Sequence, residues 1–145
     1  MKREPLLVSA CLLGYACRYD GKSVPAPLPD GLFDRYRPIP VCPELAGGLS
    51  LPRPPAEISP EGEVKTETGL SVSREYREGA ERTLALARSL GCRKALLKEK
   101  SPSCGVHRIH DGAFSGRTVP GRGVTATLLA ENGIAVFSEE EAGKL

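Results

Sequence analysis

Five cysteines, Cys11, Cys17, Cys42, Cys92 and Cys104, are spread through 145 residues, and the last lies in Lys98-Glu99-Lys100-Ser101-Pro102-Ser103-Cys104-Gly105, a bend rich in serine, proline and glycine. A reduced thiol can fill a core as a small hydrophobe, attack a substrate as thiolate, or bind a soft metal. The odd count argues against a disulfide framework. The start Met1–Pro5 is followed by too short an apolar segment for a secretory leader, so reduced thiols and a cytoplasmic location are expected. Structural zinc usually takes four ligands, including two cysteines separated by two to four residues. The closest pair here, Cys11 and Cys17, has five residues between its members. His107 and His110 could supply a fourth ligand, although a histidine pair after a loop is more often solvated or bonded to backbone. A cysteine nucleophile at Cys104 with His107 as its base is a separate arrangement, which leaves Cys11 and Cys42 idle.

The elements around the thiols favour another use. Leu6-Leu7-Val8 reads as a buried strand leading to Cys11, and Ile39-Pro40-Val41 as a short extended segment near a sheet edge leading to Cys42. Lys94–Lys98 reads as a third strand, which leads to Cys104. Over Ser73–Leu90 the apolar residues Tyr76, Ala80, Leu84, Ala87 and Leu90 recur at helical spacing, and Gly91 follows as a C-cap. Thr125–Glu131 reads as a second helix, entered through Gly121-Arg122-Gly123 and stopped by Asn132-Gly133, with Ile134–Phe137 as a last strand. The order β, β, α, β, α, β predicts a single domain over residues 1–145: an α/β, largely parallel, Rossmann-like sheet with helices packed on it. Long proline- and glycine-rich loops are expected at Val24–Pro29, Pro38–Pro43, Gly47–Pro55 and Pro120–Gly123.

Open parallel sheets bind ligands in the crevice beyond the carboxyl ends of their strands. Cys11, Cys42 and Cys104 each fall just past such an end, next to the turn residues Leu12-Leu13-Gly14, Pro43 and Gly105 respectively. Cys92, at a helix end, and Cys17, in a polar loop, read as packing residues. Three thiolates can hold a cuboidal iron–sulfur cluster in which one iron lacks a protein ligand, the counterpart of the open position in a catalytic zinc site. Such an iron is a Lewis acid, and a substrate sulfur is a natural soft partner for it.

Composition limits the partners. With a net charge of +2 and basic residues scattered without aromatic interleaving, the chain shows no footprint for nucleic acid or an anionic membrane. No stretch approaches the roughly 20 apolar residues of a membrane span. A small-molecule site is the expectation. Gly121-Arg122-Gly123 before a helix has the look of an anion cradle, although it lacks the full dinucleotide fingerprint.

Four separated motifs extend the reading: Ser9–Gly14 with Cys17–Gly21; Val41–Glu44 with Gly47–Leu49 and Pro52–Ile58; Lys98–Gly105; and Asp111–Leu129. Together, and in this order, they resemble the thiouracil desulfurase family over nearly the whole chain. The resemblance implies a non-redox enzyme that desulfurises a thiolated pyrimidine, 2-thiouracil to uracil plus sulfide, or a similar small thiocarbonyl compound. It implies a 4Fe-4S cluster on Cys11, Cys42 and Cys104, with the fourth iron open to substrate sulfur. The family's acid/base carboxylate falls on Glu44. A serine beside the last ligand is also implied, Ser101 in preference to Ser103, which adjoins the ligand and can be occupied in holding the loop. Arg18, Asp20 and Arg53 lie in matching motifs as candidates for substrate binding or loop bracing. Cys17 departs from the pattern, being either incidental or a spare, oxidation-prone thiol near the cluster. The competing reading is an iron–sulfur or zinc protein without catalysis, a carrier or sensor, which would need thiolates but no acid/base group.

Overall fold

Leu6, Leu7 and Val8 are wholly shielded from solvent because the strand that contains them is an inner one. The computed structural model describes residues 2–23, 25 and 27–145. In chain order its elements are β1 (Glu4–Ser9), α1 (Leu32–Arg35), β2 (Tyr36–Val41), α2 (Pro43–Ala46), β3 (Ala56–Ile58), β4 (Val64–Thr66), α3 (Ser73–Leu90), β5 (Lys94–Leu97), β6 (Arg108–His110), β7 (Thr118–Pro120), α4 (Val124–Glu131) and β8 (Ala135–Ser138). Tight 3-10 turns occupy Ala10–Leu13 and Glu139–Lys144. The main sheet has the order β2-β1-β5-β8 and every pairing in it is parallel. The α/β architecture read from the sequence is therefore the one observed.

Alternation along β1 divides the interior into two cores. Leu7 joins Val41, Ala95 and Leu97 against the apolar faces of α3 and α4, through Leu84, Ala87, Ala126 and Leu129. Leu6 and Val8 point to the other face, where Leu12, Leu32, Tyr36, Leu96 and Ala142 close the second core. The period of two in the strand thus fixes which residues meet which layer.

The loop expected at Pro38–Pro43 is instead mostly strand. Pro38 and Pro40 stand in β2, paired with Leu6 and Val8. Being two residues apart they share a phase, and β2 is an edge strand, so both missing N–H groups can face the open side. Pro120, placed in a loop by the sequence reading, ends β7. Of the loop predicted at Val24–Pro29, Val24 and Ala26 lie outside the described residues. Two antiparallel hairpins, β3-β4 and β6-β7, had no counterpart in the sequence reading. Their strands are three residues each, too short to show alternation.

Helix α3 matches its predicted span, and Gly91 caps it in the left-handed conformation at φ 71°. Its middle is crossed closely by α2. A methyl group on Gly79 would overlap the Pro43 carbonyl, and one on Gly47 would overlap the Glu75 carbonyl. Glycine is required at both positions for the two backbones to touch.

That contact makes a sign-reversed prediction. At an ordinary helix interior Gly→Ala stabilises by roughly 0.5–1 kcal/mol. Gly79→Ala should instead destabilise by about 2 kcal/mol or more through overpacking, read as a lower urea midpoint. A raised midpoint would show that α2 is not seated on α3 as described.

Candidate active site

The strands β1, β2 and β5 end side by side, and a cavity of about 500 Å³ opens beyond them. Because β1 is followed by β2 on one side and by β5 on the other, this is the point where the strand order reverses, the usual place for a ligand. Cys11, Cys42 and Cys104 all line the cavity, as do Glu44, Ser101 and Arg18.

Each thiol is presented by a different local device. Cys11 lies in the 3-10 turn that follows β1, closed by Gly14 at φ 98°. Cys42 is the N-cap of α2, with Pro43 in its first turn. Cys104 lies in the loop after β5, which Ser101 organises: its Oγ accepts the N–H groups of Ser103 at 3.1 Å and Cys104 at 3.0 Å. With two lone pairs so engaged, the Ser101 hydroxyl proton remains available to the cavity. Ser103 is turned away, 1% exposed and hydrogen-bonded to Thr125 Oγ1 at 2.7 Å.

The same loop is anchored from below by Glu99, which is 3% exposed. Its Oε1 accepts the backbone N–H groups of Val106 (2.7 Å), His107 (2.9 Å) and Arg108 (3.1 Å), with Lys100 more distant at 3.4 Å. Burial alone would raise the Glu99 carboxyl, but these N–H groups outweigh it and hold it below its ordinary value of 4.5.

Glu44 is fixed at both oxygens. Its Oε2 accepts from Arg53 Nη2 at 2.8 Å, and its Oε1 accepts from the Tyr76 hydroxyl. Burial, reinforced by the Glu44 carboxylate, pushes Tyr76 far above the ordinary tyrosine range, so it stays a donor. Arg53 is itself buried, and it also bonds the carbonyls of Cys17 at 3.0 Å and Ser50 at 3.3 Å. Among its contacts Arg53 therefore braces loops and holds Glu44. Asp20 Oδ1 accepts from the Lys22 N–H at 3.0 Å, a turn bond, and does not line the cavity. Arg18 lines the cavity with its guanidinium 5.5 Å from the Tyr19 ring centroid.

Of the two readings given for Cys17, incidental or a spare thiol near the site, its position agrees with the second. Cys17 is buried, lines the cavity, and its carbonyl lies 3.8 Å from the Cys42 thiol. Tyr76 was missed, since its helical spacing reads as core. Cys92 does pack in the core under α3. His107 is exposed, paired with Glu141 at 2.6 Å, and does not line the cavity, so it serves neither as a metal ligand beside the thiols nor as a base for Cys104. His110 does reach the cavity wall. The anion cradle at Gly121-Arg122-Gly123 is not formed, because the N–H groups of Gly121 and Gly123 are spent on the carbonyls of His107 and Gly105.

Burial pushes the Cys104 thiol up to about 12, with the charges of Glu44, Cys11 and Cys42 adding to it and the Ser9 hydroxyl opposing. Burial also raises Cys11, partly offset by Lys98. As free side chains these thiols hold their protons, and any soft cation bound there must displace them. Among the described residues no three His, Cys, Asp or Glu side chains converge closely enough for one metal ion. Several thiols, distributed around one cavity rather than gathered at one point, fit a polynuclear iron–sulfur group.

Known proteins match nearly the whole chain. A family model described as 2-thiouracil desulfurase matches residues 6–141. Uncharacterized protein YbbK of Bacillus subtilis (strain 168) is 42% identical over 145 aligned positions, which cover 94% of this chain and 96% of that protein. The solved structure of the 4Fe-4S-dependent thiouracil desulfidase TudS superposes with a TM-score of 0.90 at 47% identity, covering 99% of this chain and 95% of that one.

Glu99 carries an acid-stability prediction. Since its folded value is depressed, its contribution is fully present above pH 4.5 and is lost as pH falls through the lower folded value. Glu99→Gln should lower stability at neutral pH by about 2 kcal/mol, and denaturant curves of parent and variant should converge as the pH is taken below that range. A gap that stays constant into acid would contradict the assignment.

Proposed function

The chain belongs to the 2-thiouracil desulfurase family, and from that premise we propose that it removes sulfur from a thiolated pyrimidine, 2-thiouracil with water giving uracil and sulfide, without net oxidation or reduction. The cofactor of this reading is a 4Fe-4S cluster held by Cys11, Cys42 and Cys104, one iron having no protein ligand. The observation that carries it is that these three thiols and Glu44 open on one cavity. Support comes from the desulfidase TudS, a structural neighbour described as 4Fe-4S-dependent.

When bound, the cluster supplies a thiophilic Lewis acid that polarises the carbon–sulfur bond. The remaining work falls to side chains. Glu44, accepting from Arg53 and Tyr76, keeps lone pairs for the cavity. It takes a proton from the water that attacks the carbon bearing sulfur, and returns it to the departing sulfide. Ser101 offers its hydroxyl proton to a polar atom of the ring. A carrier or sensor would need the thiolates but not a carboxylate fixed at both oxygens by buried partners, and Glu44 therefore favours the enzyme.

The decisive experiment follows 2-thiouracil turnover anaerobically in oxygen-18 water with the reconstituted protein. Uracil should carry the label, with no reductant consumed. Glu44→Gln, which keeps the shape but cannot take the proton, should lower turnover by about 100-fold while the cluster still responds spectroscopically to the thio-compound. Unlabelled uracil, or a variant as fast as the parent, counts against this mechanism.

The ligand assignment is checked by iron and sulfide counting. Replacement of Cys11, Cys42 or Cys104 by Ser, one at a time, should abolish a stable cluster, whereas Cys17→Ser and Cys92→Ser should retain most of it. Full iron and sulfide in the Cys104→Ser protein would overturn the assignment.

A further inference from the structure

Two non-glycine residues among those described have left-handed backbones, Lys100 at φ 70° and Phe114 at φ 54°, and both line the cavity. For a bulky side chain this conformation is costly, and it persists only where the surroundings enforce it. At Phe114 the enforcing contacts are identifiable. Oε1 of Glu57 on β3 accepts the N–H groups of Gly112 at 2.9 Å and of Phe114 at 3.1 Å. Gly112 lies so close to β3 that a methyl group there would overlap the Ile58 carbonyl. Asp111 finishes the tip, accepting from the Ala113 N–H at 2.8 Å and from the Ser115 hydroxyl at 2.6 Å. The tip of the β6-β7 hairpin is thus clamped to β3 in a strained form that puts an aromatic residue at the cavity wall.

Two other rings line that wall: Tyr19, over which the Arg18 guanidinium lies at 5.5 Å, and the polar imidazole of His110. Phe114 is the one wholly apolar ring among the described residues of the wall. We propose that Phe114 is a specificity-determining residue whose ring packs on the face of a planar heteroaromatic substrate, and that Glu57 is the positioning residue that holds it there. This rests on the desulfurase reading for the identity of the ring, and it deepens that reading: the site selects an aromatic thio-base over an acyclic or puckered thiocarbonyl compound. Ring-on-ring packing is tolerant of substituents because every base has a π face, so the selection acts on planarity.

The experiment compares the reconstituted parent with Phe114→Leu, Phe114→Tyr and Glu57→Ala. For 2-thiouracil, Phe114→Leu should raise KM about tenfold with kcat lowered no more than about twofold. For the non-aromatic 5,6-dihydro-2-thiouracil its KM should change less than about twofold. Phe114→Tyr, which keeps the ring, should restore the parent values, and Glu57→Ala should reproduce the KM effect of the leucine variant. Equilibrium dialysis of 2-thiouracil under anaerobic conditions reads binding independently of turnover, and Phe114→Leu should bind about tenfold more weakly. Equal dissociation constants for parent and Phe114→Leu, or equal losses for the planar and puckered compounds, overturn the inference. A parent that binds 2-thiouracil more tightly than Phe114→Leu yet releases no sulfide upholds the inference and rejects the desulfuration reading instead. An unchanged KM in Glu57→Ala removes the positioning role from that residue.

Discussion

The close crossing of α2 over α3 is the contact on which the site depends. Helix α2 is a single turn, Pro43–Ala46, far too short to be stable by itself. It exists because Gly47 and Gly79 let its backbone rest directly on α3. Cys42 stands at its N-cap and Glu44 in its first turn, so the same contact sets the height of a thiol and of a carboxylate above the sheet. It also brings Tyr76 of α3 under Glu44. Any larger residue at either glycine would lift α2 and separate the carboxylate from its partners.

Holding Glu44 half-buried is tolerable only because it is paired. A carboxylate taken from water is penalised heavily unless ion-paired and hydrogen-bonded, and the net gain from such pairs is small. The Arg53–Glu44 pair is therefore better understood as fixing a geometry than as stabilising the fold. Arg53 also holds the Cys17 carbonyl, so one guanidinium ties the loop after β1 to the carboxylate after β2. Glu99 does the corresponding work for the loop after β5, gathering three consecutive N–H groups from its far arm. The three thiols come from segments far apart in sequence, and each is kept in register by a buried charged or glycine contact.

What could be read from the sequence was what repeats. The buried run before Cys11 and the five apolar positions of α3 follow the periods of a strand and a helix, and both elements lie where those periods put them. The convergence of Cys11, Cys42 and Cys104 followed from parallel strand order alone, since carboxyl ends of adjacent parallel strands must lie together. What repeats nothing was hidden. Three-residue strands carry no alternation, so both hairpins gave no signal, and Glu57 and Phe114 stood only inside the motifs Pro52–Ile58 and Asp111–Leu129, with no role attached. Tyr76 bears the spacing of a core residue and is one, and its hydroxyl partner is visible only in three dimensions. Cys17 is separated from Cys42 in sequence but adjacent in space, because Arg53 folds its loop back over the strand ends.

The cavity consequently has two walls of different origin. One is the row of strand ends, whose residues are tied to the sheet through Ser9, Lys98 and Glu99: Ser9 Oγ accepts the Lys98 N–H at 2.9 Å, and the Lys98 ammonium meets Glu139 at 3.0 Å. Shifting any of these would disturb β1 and β5 together, so the thiol-bearing wall is constrained by the core itself. The other wall is the tip of the β6-β7 hairpin, joined to β3 through Glu57 and Gly112, while the base of β6 is bonded to the Cys104 loop through Glu99 and Lys100. Substitutions at the tip, where the chain hangs from β3, can reshape the opening with β6 still tied at its base to the Cys104 loop. On the reading proposed above, the thiol wall would hold the chemistry and the tip would adjust the choice of substrate.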